Sequence, residues 1–595
     1  MINSDAHYAS PKNVFAHSRN GALCSPFRKK VIISIVLFVL LYNYYRVRQI
    51  VTIERPVNSI QVREPPNDDS LRMGWSFNIS RNYDDHLLCK WTEPIVNPNA
   101  TNPSDRGEYG KAFVPRKDEE ELMEQLKQQH KYNVFASKKI SVRRSLPDHR
   151  YPECRKIIYP TILPTTSVII VVHNEILETL LRTIWSIVDR SPPELVKEII
   201  LVDDASTWAE YNDLSDHIPE LPIPVRFIRN GKREGLIRAR LIGAKNAKGS
   251  VLTFIDAHME CTEGWLQPIL SRIASDRFVV AVPLLDAISS DDMAYKPSAT
   301  TFINGLRWYL IFEWMEVPER ELNRTGHDRT APVRTPTHVG CAFAIDRQFF
   351  FEIGSYDEGM DIWGSENVEL AFRTWQCGGS LEVIPCSRVG HLYRISTYSF
   401  NGDDKEIVTT RNNRRLIDVW MDEYAAYIYA AYPQWKKVSA GNLTNRLNLK
   451  KQLKCKPFRW YLENIYPESL WLREYISIGQ IKRASTNKCL DAHPSNYYYS
   501  CHGMSGNQLF LFSKNGQILT VEKSCVSLSN DHKSIMLRPC LDKDNLQIWT
   551  YEREKQSICL NSFGLCIRSN GDNVTVDEST NADDKRFKWE LSSNL

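Results

Sequence analysis

Val251-Leu252-Thr253-Phe254-Ile255-Asp256-Ala257-His258 is the stretch on which the fold of this 595-residue chain turns. Its first five residues are apolar or β-prone, the signature of a buried strand. A carboxylate and an imidazole follow at once, two residues apart, and both side chains can ligate a divalent cation. Working outward, residues 167–172, 198–202 and 225–228 read as further strands, and residues 178–189 and 236–246 as helices. Strands that alternate with helices predict an α/β domain with a mostly parallel sheet, which places ligands at the carboxyl ends of its strands. Polar groups stand at those ends: His173-Asn174-Glu175, Asp203-Asp204 and Asp256-Ala257-His258. A metal held there would bind a diphosphate, which points to nucleotide-sugar chemistry.

The chain is long enough for about two to four domains. With 42% hydrophobic residues it can build a large core, and a net charge of +4 with no basic stripe argues against a nucleic-acid partner. Residues 31–45 are almost unbrokenly apolar, with Arg28, Lys29 and Lys30 before them and Arg46 and Arg48 after them. The run is short for a membrane span of about 20 residues, but its tyrosines suit the membrane interface. Bulky residues follow it where signal-peptide cleavage needs small ones. Residues 31–48 are therefore expected to be an uncleaved signal-anchor, with residues 1–30 cytoplasmic and the remainder lumenal. A short span also suits thin early secretory membranes. All cysteines but Cys24 lie beyond the run and none forms a C-x-x-C pair, so disulfides in an oxidising compartment are expected over a zinc ribbon. Sequons stand at Asn78, Asn99, Asn323, Asn442 and Asn573.

Residues 49–145 are polar and rich in Pro, Asn and charge, and read as a flexible stem with one helical stretch at 119–131. From 475 to 595 three units of about 40 residues recur. They carry Cys489-Leu490-Asp491, Cys525-Val526-Ser527 and Cys566-Ile567-Arg568, and close on Phe510, Trp549 and Trp589. The repeat predicts a threefold β structure.

These motifs together resemble the polypeptide N-acetylgalactosaminyltransferases, from about Leu146 to the end of the chain. The resemblance is carried by Asp256-Ala257-His258 and by Val172-His173-Asn174-Glu175, residues 198–204 (Glu-Ile-Ile-Leu-Val-Asp-Asp) and Arg233-Glu234-Gly235-Leu236. It continues through residues 361–367 (Asp-Ile-Trp-Gly-Ser-Glu-Asn), Trp375-Gln376-Cys377-Gly378-Gly379, Val389-Gly390-His391 and Cys455-Lys456-Pro457-Phe458. It implies a type II Golgi membrane enzyme that moves GalNAc from UDP-GalNAc to Ser or Thr hydroxyls, with retention of configuration and with Mn²⁺. The implied layout is a GT-A domain with a helical extension over 146–455, a linker over 456–474 and a ricin-type β-trefoil lectin over 475–595.

By the same resemblance His391 completes a metal site with Asp256 and His258. Asp204 and Arg233 hold the uridine, although Asp204 also reads as a cap for the following helix. Trp363, Glu366 and Asn367 form the catalytic motif on the sugar and acceptor side. Arg394 and Tyr398 belong to a lid, and Trp308 and Tyr393 contact acceptor peptide. Disulfides are implied for Cys154 with Cys386 and Cys377 with Cys455, and in the lectin for Cys489 with Cys501 and Cys525 with Cys540. Cys559 and Cys566 are left unassigned. Only the first lectin unit keeps the sugar-binding pattern, with Asp491 and its partner Asn507; the alternative is a purely structural trefoil.

The chain departs from the family at three places. Val171 stands where Thr is usual. Residues 339–343 read Val-Gly-Cys-Ala-Phe in place of Ala-Gly-Gly-Leu-Phe, which puts a Cys341 side chain where backbone approaches the donor sugar. The lid at 394–398 is one residue short and lacks its Pro. The competing expectations are thus a catalytically impaired Golgi glycan-binding protein, or a transferase for another nucleotide sugar.

Overall fold

The structure is a computed structural model. It describes residues 88–92 and 105–591 except 212–213, 215–220, 395–399, 401, 403, 494–497, 504–505, 572 and 579–583. The expected anchor at 31–48 and the lid residue Tyr398 lie outside the described residues. Among the described residues no helix is long and apolar enough to cross a membrane.

Seven strands form most of one mixed sheet: β1 (Thr166–Val172), β2 (Val196–Asp203), β3 (Val225–Arg229), β4 (Val251–Asp256), β5 (Val279–Ile288), β6 (Ala342–Asp346) and β7 (Ser380–Leu392). Their order across the sheet is β7-β5-β6-β4-β1-β2-β3. All neighbours run parallel except β6, which is antiparallel to both β4 and β5. The near-continuous apolar runs of β1, β2 and β4 follow from this, because the centre of the sheet is covered on both faces. Helix α1 (Leu177–Arg190) buries Leu180, Ile184 and Ile187 on one face, and α2 (Gly235–Asn246) packs on the other. The mostly parallel α/β expectation holds, with β6 as the inserted exception.

Two expected boundaries shift. The stem is expected to run to residue 145, yet residues 107–113 and 132–144 contain buried side chains, although the helix Glu120–His130 between them buries none. Tyr132, Val134, Phe135, Ala136 and Ile140 are buried against Ile288, Met293 and Leu392 of the α/β body. Burying each large apolar side chain contributes about 1.5–3 kcal/mol. Arg144 makes a fully buried fork to both oxygens of Glu260, at 2.7 and 2.8 Å. Charged residues between the apolar ones masked this segment in the sequence. The linker at 456–474 is likewise part of the core: it contains the helix Phe458–Asn464, with Phe458, Tyr461 and Leu462 buried, and Cys455 at its threshold is disulfide-bonded to Cys377.

The carboxyl-terminal units form three small sheets around a core that includes Ile481, Leu490, Phe512, Val526, Ile558 and Ile567. The two closing tryptophans are buried for a shared reason. The Trp549 indole N–H donates to Val526 O at 2.8 Å, and that of Trp589 to Ile567 O at 2.9 Å, so each ring locks the strand of its own unit. All four expected disulfides are present. A fifth joins Cys559 to Cys566, which face each other on adjacent strands of the third unit.

Candidate active site

Asp256 ends β4, His258 lies two residues on, and His391 lies near the end of β7; a short antiparallel pairing sets Met259 opposite His391. The ligand atoms of the three residues lie within 4.8 Å of one another. His391 Nε2 is 3.8 Å from Asp256 Oδ2. The other Asp256 oxygen accepts from Arg240 Nη2 at 2.8 Å, and the same nitrogen donates to Gly340 O. Burial lowers the pKa of His391, which keeps the imidazole neutral, as a metal ligand must be.

Glu175, at the end of β1, organises this cluster. Its carboxylate accepts from His258 Nδ1 at 2.9 Å, which leaves Nε2 of that ring for a metal. It also receives a two-pronged contact from Arg394, at 2.5 and 3.1 Å. Burial alone would raise the Glu175 carboxyl, but Arg394 and His258 outweigh it and hold it at about 2. The donor set of one carboxylate and two imidazoles, with an oriented second shell, fits Mn²⁺ or a similar divalent ion.

The metal-ligand cluster opens into a cleft of about 340 Å³. Of the expected residues, Arg233, Trp363, Glu366, Tyr393 and Arg394 line it together with Asp256, His258 and His391. Asp204 sits behind the cleft wall. Its buried carboxylate accepts from Arg233 Nη1 at 2.6 Å and from the backbone N–H groups of Glu234 and Gly235 at 2.7 and 2.8 Å. Asp204 is thus the cap of α2 and the anchor of Arg233 in one. Gly235 has φ +82°, and a Cβ there would stand 2.3 Å from Ile362 Cα, so the turn admits only glycine.

Asn367 is not among the cleft-lining residues and is turned to the preceding loop: its Nδ2 donates to His338 O at 2.6 Å. Gly340 follows in that loop at φ +93°. Glu366 begins the helix Glu366–Gln376, accepts from Gly364 N, and has its pKa raised by burial. Trp308 is not on the cleft. It is buried against Trp471 and Tyr475, and Phe312 of the same hairpin lines the cleft in its stead. Val171 and Cys341 are both cleft residues, and burial followed by the neighbouring Asp256 charge pushes the Cys341 thiol far up.

Two working residues escaped the sequence reading. Glu175 was legible as a polar strand end but not as the link between His258 and Arg394. Arg240 shares a helical face with Ile237, Leu241 and Ala244, and an arginine inside an apolar stripe is the signal that marks it. In the lectin the expected pair meets: Asn507 Nδ2 donates to both Asp491 oxygens at 2.7 and 2.8 Å. In the other units Ser527 is buried and Arg568 is paired with Asp577.

Comparison with known proteins agrees with this geometry. Residues 167–354 match glycosyl transferase family 2, residues 322–397 match the N-terminal domain of galactosyltransferase, and residues 477–589 match the ricin-type beta-trefoil lectin domain. Polypeptide N-acetylgalactosaminyltransferase 13 of Homo sapiens is 47% identical over 442 residues, covering 73% of this chain and 79% of that protein. Probable N-acetylgalactosaminyltransferase 6 of Caenorhabditis elegans is 39% identical over 509 residues, 80% of each chain. The crystal structure of GalNAc-T7 with UDP, GalNAc and Mn²⁺ is 31% identical and superposes with a TM-score of 0.69, covering 85% of this chain and 98% of that one. On identity and coverage of this extent, the chain belongs to the polypeptide N-acetylgalactosaminyltransferase family of glycosyltransferases.

Proposed function

We propose that this protein transfers GalNAc from UDP-GalNAc to Ser or Thr hydroxyls of polypeptides, with retention of configuration and dependence on Mn²⁺. We place it in the Golgi membrane as a single-pass type II protein that initiates mucin-type O-glycosylation. The observation that carries the chemistry is the Asp256–His258–His391 cluster at the ligand end of the sheet, inside a cleft. The similarity to GalNAc-T7, whose structure holds UDP, GalNAc and Mn²⁺, supports the donor and the metal.

Bound at this cluster, Mn²⁺ would supply Lewis-acid stabilisation of the departing UDP. The chain's own residues do the rest. Glu175 fixes the His258 tautomer, and Arg240 fixes Asp256 against the Gly340 loop. Arg394 and Arg233 bring positive charge to the cleft, where the leaving diphosphate develops negative charge. Trp363 and Phe312 offer aromatic faces to sugar and peptide. Asp491 and Asn507 would hold a GalNAc hydroxyl on a glycosylated acceptor.

A second reading has one specific observation behind it. Cys341, buried, lies on the cleft wall beside Asp256, whose N–H donates to Cys341 O at 2.9 Å. Crowding at that point would leave a glycan-binding protein with impaired catalysis, or select another nucleotide sugar. A donor panel separates these readings. UDP-GalNAc, UDP-GlcNAc and UDP-Gal are incubated with Ser/Thr-rich peptides and GalNAc-bearing glycopeptides, and products are read by mass spectrometry and the anomeric linkage by NMR. The proposal expects α-linked GalNAc from UDP-GalNAc; transfer from only another donor, or from none, counts against it.

A further inference from the structure

The hairpin that delivers Phe312 to the cleft is held from behind by the linker and the second lectin unit. Its strands, Phe302–Leu306 and Phe312–Glu316, pair with Leu306 opposite Phe312 and Gly305 opposite Glu313. Tyr466, buried in the linker, accepts the Leu306 N–H on its hydroxyl at 3.1 Å and donates to Glu313 at 3.4 Å. The phenol lies against Gly305, where a Cβ would come within 2.4 Å of its oxygen. At the turn, Trp308 is buried between Trp471 of the linker and Tyr475 of the first lectin strand, with ring centroids 5.9 Å away in both cases. Lys523, in a turn of the second lectin unit, forms an ion pair with Glu313.

This contact belongs to a continuous core. Leu306, Trp308 and Leu310 share one buried cluster with Tyr475, Ile478, Leu519 and Cys525, so no solvent layer separates the lectin from the catalytic domain. The second unit is also the one in which Ser527, fully buried, replaces the sugar-binding carboxylate. A unit that lacks the carboxylate but keeps a packed face toward a cleft-lining hairpin has a structural task.

We propose that the linker and the second lectin unit form a fixed buttress that positions the Phe312 hairpin, with Tyr466 and Lys523 as its positioning residues. The lectin then sets the shape of the acceptor side of the cleft, apart from any sugar bound at Asp491. The functional part rests on the transferase reading above; the structural part does not.

The test uses the purified full-length chain with Lys523→Met, Tyr466→Phe and both together. Losing one ion pair and one hydrogen-bond bridge should speed local opening, and hence amide exchange of residues 302–316, about tenfold in the double variant. Acceptor-peptide KM should rise several-fold while UDP affinity in the presence of Mn²⁺ stays unchanged. The swap Glu313→Lys with Lys523→Glu should restore slow exchange relative to either single change. Unchanged exchange of 302–316 in the double variant overturns the buttress, as does an equal loss of donor affinity, which would indicate general destabilisation. If the unmodified chain transfers no sugar, the transferase reading fails, and hydrogen exchange alone still judges the buttress.

Discussion

Replacing Glu175 by Gln tests the carboxylate that orients His258 in the candidate metal site. Glu175 is 3% exposed and joins two cleft residues, His258 Nδ1 at 2.9 Å and Arg394 through both of its oxygens, while it also accepts the Ile176 N–H at 3.1 Å and the Tyr132 hydroxyl at 3.5 Å. Gln keeps the shape but has one acceptor oxygen and no charge, so it cannot orient the imidazole and hold the guanidinium together. Loss of an orienting carboxylate on a metal-ligating His weakens metal binding about 10–100-fold, or about 1.4–2.7 kcal/mol. The cost to folding should be comparable. The Arg394 side chain is 18% exposed on the cleft and can rehydrate, so the loss should be about that of hydrogen bonds to a charged group, 1.5–3 kcal/mol at most. Mn²⁺ titration by calorimetry in the presence of UDP measures the first quantity without any sugar transfer, and thermal unfolding measures the second. A Mn²⁺ dissociation constant within twofold of the unmodified protein would refute the role given to Glu175.

Arg144→Met should destabilise the catalytic domain by about 3–5 kcal/mol, because it leaves Glu260 buried beside a neutral side chain; a chain begun at Leu146 should unfold earlier than one begun at Asp105, as thermal melts of the two would show. Cys341→Gly should enlarge the donor side of the cleft and raise kcat/KM for UDP-GalNAc about tenfold, the effect of relieving about 1.4 kcal/mol of crowding in the transition state; an unchanged or lower value would mean that the thiol does not crowd the sugar. Asp491→Ala should remove the preference for GalNAc-bearing glycopeptides and leave unglycosylated peptides unaffected, since Asp491 belongs to the lectin core and not to the cleft; competition assays between paired acceptors read this directly.

The sheet was legible because its strands are buried on both faces and therefore spell near-continuous apolar runs over 168–172, 199–202 and 251–255. Its ligand end was legible because polar residues interrupt those runs at the same relative place. What escaped lies where composition and burial diverge. Residues 105–145 read as stem because Tyr132, Val134 and Phe135 are set among charges, yet those three side chains fill a pocket beside Met293. Trp308 is an acceptor contact only by the family resemblance. Its burial under Trp471 and Tyr475 depends on tertiary packing from residues more than 160 positions later, which no local pattern carries. Asp204 illustrates a third case: helix cap and donor-side residue were alternatives in the sequence, whereas the carboxylate anchors α2 and Arg233 together.

Sugar transfer, on the function proposed, runs through a metal that Asp256, His258 and His391 would hold. The most direct measurement is UDP-GalNAc turnover on a Ser/Thr-rich peptide by the chain from Ser70 onward, with Mn²⁺, with EDTA, and with Asp256→Asn. Transfer with Mn²⁺ should disappear with EDTA, return on adding Mn²⁺ back, and be absent from a folded Asp256→Asn variant. Transfer that persists in EDTA or in that variant would contradict this reading.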